Sequence, residues 1–436
     1  MLLTLAAGLP LPGAGKIFPY PYVQQDLPNG LRLITIPTDY PNIVSLYIVV
    51  GTASRNEVEP GKSGFAHLFE HLMFRGTPEF PPERYDAVLK NAGAASNAFT
   101  SDDYTAYHAT FSKEDLPQIL SLEADRFQHL AYDEAAFRTE TLAVLGEYNK
   151  NSANPASRLR ETVRATAFRT HSYRHTTMGF LADIQAMPGE YAYSRQFFDR
   201  YYRPEYTTII VAGDVAPQRV RTLIDERWST WKHGAYTAQI PAEPAQNTPR
   251  TAHVDWPSPT LPWVAVAYRG PAWSDDTEET VALDAVSRLA FGENSPLYQK
   301  LVIAEQKVDV LRAGPPEHLD PELFDIVARV KNPADLGAVE AQIVATAQQF
   351  AAAPIDEKKL QDLKEHLRYD FALQLDSSES IAHTLAAYVA LRHTPESVNR
   401  YYDMYARLSA EDIRQAARKY LVESGRTVVT LTGSAK

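Results

Sequence analysis

Apolar positions along the chain fall into two kinds of run. Short β-branched runs read as strands, as in Leu31 to Ile36 and Val44 to Val50, which read as a pair. Stretches with apolar residues at three- and four-residue spacing read as helices. These are Phe65 to Met73, Pro82 to Ala92, Leu116 to Leu130 and Phe137 to Lys150. Alternation around Tyr104 and Tyr107 puts a further strand within Ala98 to Thr110. Strands and helices interleave, yet strand pairs with short loops also occur. That favours an α+β fold, a mixed sheet layered with helices, over a purely parallel sheet.

The order of these runs repeats. Val44 to Gly51 and Trp263 to Gly270 are strands ending in Gly, each followed by a helical segment, Gly64 to Phe74 and Thr280 to Phe291. Thr207 to Gly213 and Thr427 to Gly433 are again β-branched strands ending in Gly, offset by about 220 residues. Between the copies, six prolines fall from Pro241 to Pro262. Proline fixes φ and donates no backbone hydrogen bond, so this stretch is excluded from helix and central strand. It reads as a semi-rigid linker. The division is residues 17–233, a Pro-rich linker at 234–250, and a homologous half at 251–436.

Composition narrows the function. The 436 residues suit two domains or more. With 54 acidic against 43 basic residues, the net charge of -11 disfavours a general nucleic-acid binder. There is no cysteine, which removes disulfides, thiolate metal sites and cysteine nucleophiles, so any metal must be held by His and carboxylates. No apolar run approaches a membrane span. Residues 1–16 read as a flexible N-terminus or a secretory-signal remnant, without a basic start because the first cation is Lys16. The compartment reading leans to periplasmic or secreted, with cytoplasmic as the alternative.

The sharpest feature is His67-Leu-Phe-Glu70-His71. On a helix, positions i and i+4 share a face, so both imidazoles can reach one metal ion. Glu70 stands close enough to act on a water held there. This is the H-x-x-E-H inverzincin spacing. Composition predicts about 0.02 chance occurrences, so the pattern is taken as a site rather than as two surface histidines. The flanking residues Phe65, Ala66, Leu68, Phe69, Leu72 and Met73 are apolar, and polar groups on such a helix need partners. A third protein ligand is needed for a catalytic zinc. Glu140 and Glu147 lie seven residues apart on one face of the next long helical pattern, around the apolar Leu142 to Leu145. Spacing leaves both open, one as ligand and the other holding a His ring. His171 and His175 share the i,i+4 spacing but sit in a polar loop without an obvious carboxylate, and read as a loop or helix start.

With His67-x-x-Glu70-His71, Phe74-Arg75-Gly76-Thr77 and Glu147 in place, the chain resembles the pitrilysin/insulinase family of zinc peptidases. It is similar to the short-subunit branch with mitochondrial processing peptidase, as the zinc-bearing subunit of the bacterial heterodimeric type. The resemblance covers nearly the whole chain. It implies one zinc per chain, bound by His67, His71 and Glu147, with Glu70 as general base and Glu140 in a supporting role. It also implies that Asn97, Ala98, Phe99 and Thr100 lie on a sheet-edge strand to which an extended peptide adds. The function so implied is a zinc-dependent endopeptidase subunit; the alternative is a non-catalytic peptide-binding or structural subunit of the same fold.

The second half places Asp284, Ser287 and Arg288 where His67, Glu70 and His71 stand, so no second zinc site is expected. In the family this half usually offers an Arg and a Tyr seven residues apart to hold the substrate carbonyl. Here those positions fall on Val302 and Asp309, with Arg312 the nearest alternative donor. The expectation is a homologous partner chain carrying the Arg/Tyr pair, a heterodimer in preference to a homodimer.

Overall fold

A computed structural model describes residues 16–434. The Met1 to Gly15 reading therefore lies outside the described residues. Among the described residues, eleven strands form two sheets. The first comprises β1 (Val23–Asp26), β2 (Arg32–Pro37), β3 (Ile43–Val50), β4 (Ala95–Thr100), β5 (Thr105–Ser112) and β6 (Thr207–Gly213), in the order β1-β2-β6-β3-β5-β4. The second comprises β7 (Arg250–Trp256), β8 (Trp263–Arg269), β9 (Val308–Gly314), β10 (Leu323–Val330) and β11 (Arg426–Gly433), in the order β7-β11-β8-β10-β9. Without β1 the two orders are the same. β6 runs parallel to β2, and β11 parallel to β7, and each is antiparallel to its other neighbour.

One expectation fails here. The Leu31 and Val44 strands are not paired, because β6 inserts between β2 and β3. Every residue of β6 is buried, and a strand so covered suits a sheet centre. Its closing Gly213 has φ +139°, and a Cβ there would stand 2.2 Å from the Ile43 carbonyl oxygen. The Pro-rich stretch likewise contains β7, starting at Arg250 between Pro249 and Pro257. It is an edge strand, where neighbouring proline is tolerated.

Each half covers its sheet partly with its own helices and partly with a helix of the other half. The helix Ser378–Arg392 packs Ile381, Leu385 and Val389 onto Ile34, Tyr47 and Ile210 of the first sheet. The helix Pro155–Ala167 packs Leu159 and Val163 onto Ala265, Val327 and Val429 of the second. A buried charged seam accompanies this exchange. Arg164 donates to both Asp102 carboxylate oxygens at 2.6 and 2.7 Å, and His318 Nε2 lies 3.0 Å from Asp102. No described helix is long and apolar enough to cross a membrane.

Candidate metal centre

The helix Phe65–Leu72 carries the motif, with a tighter turn Met73–Arg75 continuing it. Phe65, Leu68, Phe69 and Leu72 are fully buried, which fixes the helix against the first core. Its N-terminus is held by a residue that sequence spacing did not single out. Glu57 accepts the N–H groups of Gly64 and Ala66 at 2.7 Å each, satisfying two amides that a helix start leaves free. Burial pushes the Glu57 carboxyl up to about 8, against the pull of these two amides. Gly64 itself has φ +90°, and a Cβ there would meet the Met178 carbonyl oxygen at 2.7 Å.

The helix Glu134–Ser152 crosses this one, started by the Asp133 side chain accepting from Ala136 N–H at 2.7 Å. It is less buried than its apolar Leu142 to Leu145 segment suggests. Leu142 is 59% exposed, and the covered face is Phe137, Glu140, Thr141, Val144 and Tyr148. The three-to-four spacing of that face sends Leu142 to the outside.

Packing separates the two glutamates. Glu147 Oε2 lies 3.5 Å from His67 Nε2 and 3.6 Å from His71 Nε2. One donor atom from each of these three residues lies within 4.8 Å of the others. These separations exceed ordinary hydrogen bonds. They are close to the roughly 3.3 Å between donors on a tetrahedral shell of about 2.0–2.1 Å radius, so the residues fit a zinc ion. Burial holds the His67 pKa down to about 4, which leaves its ring neutral and its lone pair free near neutral pH. Among the described residues this is the one group of three metal-capable side chains.

Glu140 stands behind the centre. His71 Nδ1 donates to its Oε2 at 3.2 Å, and the Arg75 guanidinium pairs with its other oxygen. That contact presents His71 Nε2 to the centre, the arrangement by which a carboxylate orients a metal-binding imidazole. His67 Nδ1, by contrast, is buried without a hydrogen-bond partner among the described residues.

Glu70 opens on the same pocket. Its Oε2 accepts from Thr100 Oγ1 at 2.7 Å, and burial raises its pKa. Thr100 ends β4, which pairs with β5 alone and forms the outer edge of the first sheet. Asn97 is exposed, Ala98 is buried, and Phe99 and Thr100 are half-buried. The edge thus carries unpaired backbone groups to the rim of a pocket of about 340 Å³ lined by His67, Glu70, Thr100, Glu147 and Arg160.

The other sequence candidates lie elsewhere. His171 and His175 flank the short turn Ser172–Arg174 and are both buried. Carboxylates stand near both: His171 Nε2 is 2.9 Å from the part-exposed Asp320, and His175 Nδ1, bonded to the Thr176 carbonyl at 2.9 Å, is 3.9 Å from the buried Glu57. Both carboxylates are distant in sequence, which hid them. In the second half Asp284 is buried and bonded by Arg288 at 3.0 Å. Asp309 on β9 takes two bonds from Arg329 at 2.8 and 2.9 Å, and Val302 is apolar. Arg312 lines a neighbouring cavity beneath the helix Pro155–Ala167.

Fold and donor set together define a two-half α+β protein with an inverted His-x-x-Glu-His helix and a distal glutamate. The chain belongs to the insulinase family, peptidase family M16, in its short-subunit branch. The family model described as "Insulinase (Peptidase family M16)" matches residues 32–180, and "Peptidase M16 inactive domain" matches residues 191–367. The chain is 30% identical over 411 residues to the zinc protease PqqE of Helicobacter pylori, covering 93% of this chain and 91% of that protein. It is 24% identical to a probable mitochondrial-processing peptidase subunit beta of Arabidopsis thaliana, over 91% of this chain and 76% of that one. The crystal structure of a protease from Helicobacter pylori superimposes with a TM-score of 0.89 at 28% identity, covering 95% and 99% of the two chains.

Proposed function

We propose that this chain is a zinc-dependent endopeptidase subunit. The observation that carries the reading is the convergence of His67 Nε2, His71 Nε2 and a Glu147 oxygen, with Glu70 beside them on the rim of an open sheet edge. One zinc would be held by His67, His71 and Glu147. When bound, zinc supplies Lewis acidity that polarises a carbonyl and acidifies water. Glu70 takes a proton from the attacking water and returns it to the departing amine nitrogen. A carboxylate placed beside the centre suits that exchange. Glu140 keeps His71 turned to the centre. The β4 edge at Asn97, Ala98, Phe99 and Thr100 adds an extended peptide as a further strand, leaving its backbone beside Glu70.

A homologous second chain supplies the Arg and Tyr that hold the substrate carbonyl. Val302 and Asp309 support this, since an apolar side chain and an already paired carboxylate cannot stabilise an oxyanion.

Glu70→Gln tests the reading. It should keep about one zinc per chain and lose on the order of 10²–10⁴ in kcat/KM on a mixed peptide pool, assayed with the partner present. Cleavage at the parental rate overturns the role of Glu70. Absence of zinc from the purified parent chain would instead favour a non-catalytic peptide-binding subunit. Ordinary cleavage by the isolated chain removes the need for a partner.

A further inference from the structure

Arg160 lies on the helix Pro155–Ala167 one turn before the buried Arg164. It lines the metal pocket with Glu70, Thr100 and Glu147. It also lines a cavity of about 430 Å³ beyond the end of β4, bounded by Ser101, Tyr104 and Trp273. A third cavity, against the second sheet, again includes Arg160. Arg160 is thus the residue common to the lining of all three spaces.

That cation has spare hydrogen-bonding capacity. Its side chain is 65% exposed, and its nearest carboxylate, Asp102, stands at 3.8 Å. Asp102 is already taken, with two bonds from Arg164 and one from His318. Glu161, the next carboxylate in the metal pocket, is bonded by Tyr148 and Arg158. Asp325 lines the cavity against the second sheet with Arg160 and attracts it, yet no hydrogen bond to the Arg160 guanidinium is formed among the described residues, so its five N–H donors are free for a ligand in the pocket at the end of β4.

We propose that Arg160 is a specificity residue that binds a carboxylate of the substrate close to the scissile bond. This rests on the peptide-cleavage reading above. The carboxylate comes from an acidic side chain or from the peptide's own C-terminus, and both chemistries suit a planar guanidinium.

The test uses the zinc-loaded full chain with its partner and matched peptides. One set pairs Glu with Gln at each position flanking the cleaved bond, and another pairs a free C-terminal acid with its amide. The ratio of kcat/KM within each pair is measured for the parent chain, Arg160→Gln and Arg160→Glu. Binding ratios are measured in parallel by fluorescence anisotropy on Glu70→Gln. The parent should favour the carboxylate peptide by about 3- to 10-fold, the range for an exposed cation. Arg160→Gln should bring that ratio to about one, and Arg160→Glu should invert it in favour of the Gln or amide peptide. A response confined to the side-chain pairs assigns an acidic residue, and one confined to the terminal pair assigns the C-terminus. Equal ratios in the parent and Arg160→Gln overturn the proposal. If no peptide is cleaved by the parent, the peptidase reading fails alone, and the binding ratios with and without Arg160→Gln still decide the role of Arg160.

Discussion

Raising the pH should weaken the seam between the halves through His318. This imidazole is 3.0 Å from Asp102 and 4.0 Å from Glu322, with Tyr173 edge-on at 5.1 Å between ring centres. Asp103 and Glu317 also face it, and Arg164 holds the far side of Asp102. Burial alone would lower the His318 pKa, but Glu322, Asp102 and Asp103 overcome that and push it up to about 9. Set against an ordinary 6.5, the shift corresponds to about 3 kcal/mol at roughly 1.36 kcal/mol per pH unit. The folded state binds this proton more tightly than the unfolded chain. The stabilisation is therefore fully present below pH 6.5 and lost as pH rises through 9. Urea unfolding of the parent and His318→Gln, at fixed zinc loading between pH 6 and about 9.5, isolates this one group. The parent's advantage over the variant should shrink by about 3 kcal/mol across that window. If the halves unfold in separate steps, the first step should carry the change, because parting the halves breaks the seam. A parent-to-variant difference that stays constant would refute the reasoning.

Three further outcomes follow from the centre. Glu140→Gln should weaken zinc binding by about 10- to 100-fold in chelator competition, because His71 loses its orienting carboxylate; an unchanged affinity would place Glu140 outside the centre. Glu57→Ala should destabilise the zinc-loaded chain by about 2–6 kcal/mol in chemical denaturation, since two buried amides lose their acceptor at a cost of about 1–3 kcal/mol each; a loss under about 1 kcal/mol would mean water replaces it. Gly64→Ala should cost at least about 1–2 kcal/mol by the same measurement, from positive φ and the approach of the Met178 carbonyl; a neutral result would show that the loop relaxes.

Much of this protein is legible in local patterns of residues. Histidines at i and i+4 must share a helix face, so His67, Glu70 and His71 were legible as a metal motif from their spacing. The repeated order of strands ending in Gly gave the two halves, and the matching sheet orders follow from it. Contacts between residues far apart in the chain lie beyond such patterns. Spacing placed Glu140 and Glu147 on one face, but only the crossing of two helices turned Glu147 to both imidazoles and put Glu140 behind His71. The same holds for β6 between β2 and β3, and for Glu57 beneath the motif helix. It holds most of all for the Asp102, Arg164 and His318 seam, where His318 lies 216 residues from its carboxylate partner. Periodicity reports which face of an element is buried, whereas the identity of the residue across that face is set by how the elements pack.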